Sequence, residues 1–171
     1  MTLFSSFLII HVSTGLCAVL VGVLPVVTRK GSRAHRLWGR LFAGLMAVLL
    51  VCAWAMTALR FNTYFLALSA TATLNLLSGA WVLRRKRPDL NTADRARPLD
   101  WAATLAVIGI GLWILVLLAQ GRSDGPATVS AALAASALIM GAWDLWRFAA
   151  PTSWPFSPEL WTYEHLAKML G

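Results

Sequence analysis

Apolar residues fill this chain in five long blocks, at residues 3–27, 37–59, 63–83, 101–119 and 127–150. The polar punctuation between them is short: TRKGSRAHR, RFN, RRKRPDLNTADRARPLD and QGRSDGP. A helix needs about 20 apolar residues, at roughly 1.5 Å rise each, to cross a bilayer. Each block meets or comes close to that length, and no connection is long enough to hold a soluble domain. Strands are excluded because the runs are too long and an open sheet cannot satisfy its backbone in lipid. The pattern therefore predicts an all-α fold, a transmembrane helical bundle of five spans forming one domain over residues 1–171.

The punctuation also predicts where helices start and stop. Asp100 reads as the N-cap of the fourth span, and the loop from Arg84 to Asp100 reads as irregular because it carries Pro88 and Pro98. Residues 151–171 form a separate Pro-rich turn and short helix, since PTSWPFSPELW cannot continue a helix. Ser157 is placed to cap that last helix, with Pro158 at its first position. Leu160, Leu166, Met169 and Leu170 then begin an apolar pattern. It suits either a C-terminal amphipathic helix lying on the membrane or a truncated sixth span. The first block has no basic n-region and exceeds an h-region of about 7–15 residues, so it reads as a span and not as a cleaved leader. STGLC is not a lipidation site, because a bulky Leu16 precedes Cys17.

Composition agrees. Of 171 residues, 58% are hydrophobic and 13% charged, with a mean hydropathy of +0.68; a soluble domain carries about 25% charged residues. Thirteen of the fifteen Lys and Arg flank the first turn, the third turn and the C-terminal segment, leaving only Arg60 and Arg122 on the alternate side. The positive-inside rule then puts the N-terminus outside and those segments in the cytoplasm of a bacterial inner membrane. Trp38, Trp81, Trp101, Trp143, Trp146, Trp154 and Trp161 all fall near that same boundary, where an apolar ring with one N–H is best accommodated. The net charge of +8 is thus topology, with anionic lipids in the bilayer as its natural partner. It marks no nucleic-acid surface. Other membrane subunits or a second copy of the chain are the remaining partners this class admits.

Three histidines carry the candidate chemistry. His35, Gly39 and Phe42 share one helical face, with Arg36 and Arg40 on the next. Two arginines at i, i+4 repel unless an anion lies between them, which suits a lipid phosphate, an acidic side chain or a bound anionic group. Gly39 costs roughly 1 kcal/mol against Ala in a helix and is expected to admit a close neighbour or a planar ligand. His11 heads a stripe of small residues, Gly15, Ala18 and Gly22, of the kind on which membrane helices pack. It lies level with Cys52 when adjacent spans are aligned antiparallel. His165 falls at about the depth of His35, and two imidazoles at one level are what a bis-His haem or a metal needs. His35 and His165 are thus the candidate ligands. The alternatives are a hydrogen bond to another helix for His11, a helix-start residue held by a neighbouring carbonyl or carboxylate for His35, and a lone histidine on an interfacial helix for His165.

Thr71, Asn75 and Ser78 make a polar stripe in the third span, read as interhelical hydrogen bonding or as contacts to a quinone. Asp144 needs a cation at its depth, with Arg147, Arg36 and Arg40 as candidates. Cys17 and Cys52 are read as small free hydrophobes, since neither CxxC spacing nor a disulfide framework is present. GxSxG, HExxH, Walker A and GxGxxG signatures are all missing from the sequence.

HVSTGLCAVLVGVLPVVTRKGSRAHRLWGRLFAGLM and the late YEHLAKMLG resemble the two signatures of an uncharacterised family of small bacterial multi-pass membrane proteins, H-R-x-x-G-R and E-H-x-x-x-M. His11, His35, Arg36, Gly39, Arg40, His165 and Met169 are the matching positions. The middle of the chain matches nothing specific. Family members resemble haem-type redox proteins in outline. The resemblance therefore implies a cofactor-binding membrane protein, with haem b, a quinone or a transition metal as its cofactor. A structural subunit of a larger membrane complex and a permease for small solutes or metals are the alternatives. In such relatives the second signature opens a further apolar helix, and here it ends at Gly171.

Overall fold

The computed structural model describes residues 2–170, in which helices are joined by turns and loops, with no strand among them. Five helices are long and apolar enough to cross a membrane. They are α1 (Leu3–Val27), α2 (Arg33–Leu59), α3 (Thr63–Val82), α4 (Pro98–Ala119) and α5 (Ala127–Ala149), followed by the short α6 (Leu160–Leu170). The chain divides into two compact units, Met1–Ser69 and Ala70–Gly171.

In the first unit α1 packs on α2. Thr2 caps α1, its hydroxyl accepting from Ser5 N at 3.3 Å. Ser32 caps α2 by accepting from His35 N at 3.1 Å, so α2 begins at Arg33, four residues earlier than its apolar run suggests. Gly31, at φ +76°, makes the intervening turn, a conformation that costs glycine nothing. The predicted small-residue stripe is the packing face. Ala18 is buried, a Cβ on Gly15 would lie 3.1 Å from Leu49 Cδ1, and one on Gly22 would lie 3.1 Å from the Phe42 ring. Large apolar side chains elsewhere on α1, such as Leu16 and Val19, point outward, as lipid-facing residues should.

In the second unit α4 packs closely on α5. Gly111 approaches Ala137 and Gly141 approaches Ile108, while Ala70, Leu74, Val107 and Ala137 form the buried apolar centre. Small residues at such crossings let backbones come close, which is where membrane helices gain packing energy.

The start of α4 corrects one expectation. Arg97, not Asp100, is the N-cap residue, with Pro98 at the first helical position. Asp100 sits at the third position, where its carboxylate accepts from Arg97 N at 2.7 Å and pairs with Arg85. A proline that lacks the N–H a first-turn residue leaves unused is tolerated there, so Pro98 opens the helix. The preceding loop is also ordered more than its prolines suggest. Asn91 caps a 3₁₀ turn at Thr92–Asp94. Arg87 grips Asp89 and by that hydrogen bond holds its carboxyl below the ordinary value of 3.8. Ser157 does not act as a side-chain cap for the last helix. Pro158 and Glu159 form a turn and α6 starts at Leu160.

Candidate functional site

All three histidines are held the same way. His11 Nδ1 lies 3.1 Å from Leu49 O, His35 Nδ1 3.0 Å from Pro25 O, and His165 Nδ1 2.9 Å from Gly79 O. A carbonyl only accepts, so each Nδ1 carries the proton and donates it. In the neutral ring, Nε2 is then the nitrogen left with a lone pair. Each ring reaches a helix other than its own, and each is half-buried.

Helix ends explain two of these carbonyls. Pro25 and Gly79 lie in the last turns of α1 and α3, where carbonyls have no intrahelical partner. Lys30 Nζ shares Pro25 O at 2.9 Å. Leu49 is different: it sits mid-helix, three residues before Cys52, so the antiparallel depth estimate for His11 holds to about one turn. Cys52 is buried and free. His35 belongs to the first unit and His165 to the second, and each Nδ1 is satisfied within its own unit.

Arg36 donates to Gly31 O at 2.6 Å. No carboxylate among the described residues pairs with Arg36 or Arg40. Of the two roles expected for Gly39, no described residue supplies the close neighbour, since a Cβ there would meet nothing within 4 Å.

The second unit holds a charged cluster that the sequence only half revealed. Asp144 pairs with Lys168 Nζ at 2.5 Å, not with Arg147, Arg36 or Arg40. Both partners are buried, and Lys168 also donates to Ser78 Oγ at 3.0 Å. Arg147 instead faces Glu164, its Nε 3.3 Å from Oε1. That contact is an ion pair without hydrogen-bond alignment, for Nε finds no acceptor. The other guanidinium nitrogens of Arg147 close the end of α5 by donating to Ala150 O at 3.2 Å and Pro151 O at 2.7 Å. Trp143 Nε1 donates to Glu164 at 3.1 Å.

Gly79 makes this docking possible. A Cβ at that position would stand 2.8 Å from Met169 Cε and 3.1 Å from Lys168 Cβ, so the absence of a side chain there lets α6 lie tightly against α3. Within the polar stripe of α3, Ser78 is used by Lys168 and Asn75 is buried. Thr71 Oγ1 is buried without a partner. A cavity of about 90 Å³ borders the cluster, lined in part by Asp144, Glu164, Lys168 and Thr104. Thr104 Oγ1 is likewise buried and unpaired. That volume has room for water.

No protein-family model, curated protein or solved structure matches this chain.

Sequence reasoning missed Lys168, Glu164 and Trp143 as partners. A signal was present in their spacing. Trp161, Glu164, His165 and Lys168 fall at i, i+3, i+4 and i+7, one face of a helix. The structure turns that face inward, while Tyr163, Leu166 and Leu170 are exposed. A polar face inside and an apolar face outside is the reverse of a soluble amphipathic helix, and it is the arrangement that lipid surroundings favour.

Proposed function

We propose that this chain is a multi-pass membrane protein that carries a haem-type redox cofactor on histidine Nε2. The supporting observation is the common anchoring of all three imidazoles. A ligating histidine almost always donates its other ring N–H to a carbonyl or carboxylate, which fixes the tautomer and orients the ring. His11, His35 and His165 each make such a hydrogen bond to a backbone carbonyl.

Donor chemistry narrows the cofactor. A bare transition metal is usually held by three or four protein ligands, and no three His, Cys, Asp or Glu among the described residues are grouped to supply them. A haem would bring its own nitrogen donors and need only one or two further ligands from the protein. Arg36 and Arg40, without carboxylate partners, are available to balance its propionates. When bound, such a group supplies one-electron transfer.

Protein purified from its native membrane, or supplied with hemin, is expected to show a Soret band. Replacing the histidine that would hold the group by alanine, with His35 and His165 the leading candidates, should lower haem affinity by more than the roughly 10–100-fold that losing a hydrogen-bond partner of a ligand costs. A chain that neither carries nor takes up the chromophore, or three alanine variants that all retain it, would defeat this reading.

We also place the protein in the cytoplasmic membrane with its N-terminus outside. The support is the asymmetry of Lys and Arg between alternate turns. A reporter fused after Arg87 is expected to read cytoplasmic and one inserted at Asp124 external. The opposite pattern would reverse the assignment.

A further inference from the structure

Where α3 ends and α4 begins, the second unit has a second cavity, of about 300 Å³, among Trp81, Arg84, Arg85, Asp94, Arg97 and Asp100. Its formal charge nearly balances, but the groups are unequally engaged. Asp100 already accepts from both Arg85 and Arg97 N. Asp94 accepts from Arg87 N at 2.9 Å and from Asn91 Nδ2 at 3.4 Å. Arg85 is further held over the Trp81 ring, 5.3 Å from its centroid.

Two cations are left over. The guanidiniums of Arg84 and Arg97 make no hydrogen bond or ion pair with any described residue, yet both line this one cavity. Like charges facing one space repel unless an anion enters it. A guanidinium presents its N–H groups as a planar fork that matches phosphate oxygens two at a time. Leu99, on the cavity wall, and Leu83 beside Arg84 are both exposed apolar side chains, suited to the first carbons of an acyl chain.

We propose that this cavity binds a phosphate ester through Arg84 and Arg97, with Arg85 and Trp81 as its fixed wall. The ester is the headgroup of an anionic phospholipid or a free phosphomonoester of similar size. Basic pockets between membrane helices recognise headgroups in this way. The site is independent of the histidines and of any cofactor they hold.

The test uses the full chain in detergent, titrated with phosphatidylglycerol, phosphatidylcholine and glycerol 1-phosphate and followed by native mass spectrometry and thermal shift. Phosphatidylglycerol is expected to bind at least tenfold more tightly than phosphatidylcholine. The pair Arg84→Gln and Arg97→Gln should abolish that preference, while the pair Arg60→Gln and Arg122→Gln, equal in lost charge, should keep it. Arg84→Lys with Arg97→Lys should restore only part of it, because a point charge lacks the fork. Competition by glycerol 1-phosphate would identify a free ester as a ligand, and its failure to compete would assign the site to lipid. Equal binding of the two lipids with no uptake of glycerol 1-phosphate would overturn the proposal. So would a phosphatidylglycerol preference unchanged in the glutamine or the lysine pair, which would mark diffuse attraction. Both arginines are exposed, so an unchanged thermal midpoint without ligand confirms that the variants fold.

Discussion

Asp144→Ala is expected to free α6 from the second unit and to destabilise it by about 3–5 kcal/mol, the usual cost of stranding one member of a buried ion pair. The stranded partner is Lys168, buried and left with only Ser78 Oγ to accept from Nζ. Lys168→Met should cost a comparable amount by stranding Asp144. The double variant should cost much less than the sum, because neither charge then remains to be compensated. Thermal unfolding in detergent gives the three values for a double-mutant cycle. Proteolysis in the Pro-rich segment before α6 should accelerate in each single variant. Strictly additive effects would mean that the contact between these two side chains carries no coupling and that α6 is held by other means.

A methyl group on Gly141 should also destabilise the second unit. It would arrive 2.4 Å from Ile108 Cγ1 and 2.9 Å from Cδ1, against a β-branched side chain with little rotamer freedom. Overpacking of this kind costs about 1–3 kcal/mol. Ile108→Ala removes the clash, so the pair should be less destabilised than the two single changes added together. Gly109→Ala provides the opposite sign. A Cβ there meets nothing within 4 Å, and alanine is favoured over glycine in a helix by up to about 1 kcal/mol. Equal unfolding temperatures for Gly141→Ala and Gly109→Ala would show that the α4–α5 crossing is looser than the contacts imply.

The histidines illustrate how far a sequence can be read. Their spacing marked His11, His35 and His165 as groups that neither topology nor apolarity requires. Hydrogen bonding to another helix was one of the readings for His11, and the structure adds which carbonyls and which nitrogen are used by all three. Those details depend on backbone groups left over at helix ends. Pro25 O was open to inference, because a helix stopping at Val27 strands its last carbonyls. Gly79 O was not, since reaching it requires knowing that α6 returns to the end of α3.

Asp144 marks the same boundary from the other side. Depth and sequence distance pointed to Arg147, Arg36 or Arg40, and the need for some cation was met by Lys168 instead. The choice among cations depended on side-chain reach across helices that lie far apart in sequence. Arg147 is drawn away to close its own helix end and to face Glu164, which leaves Lys168 for Asp144.

What the sequence determined alone is therefore what can be read along one dimension. The number of spans, their approximate limits and the small-residue face of α1 follow from local length, hydropathy and period, because every backbone polar group in lipid must be satisfied within its own helix. The tertiary structure decided which way α6 turns its two faces and which ions pair. It also decided that Gly79 and Gly141 are crossing points while Gly39 and Gly109 are open. These are properties of contact between distant segments. A glycine in a span looks the same in sequence whether a neighbour presses on it or not, and a lysine near a helix end reads as topology until another helix presents a carboxylate to it.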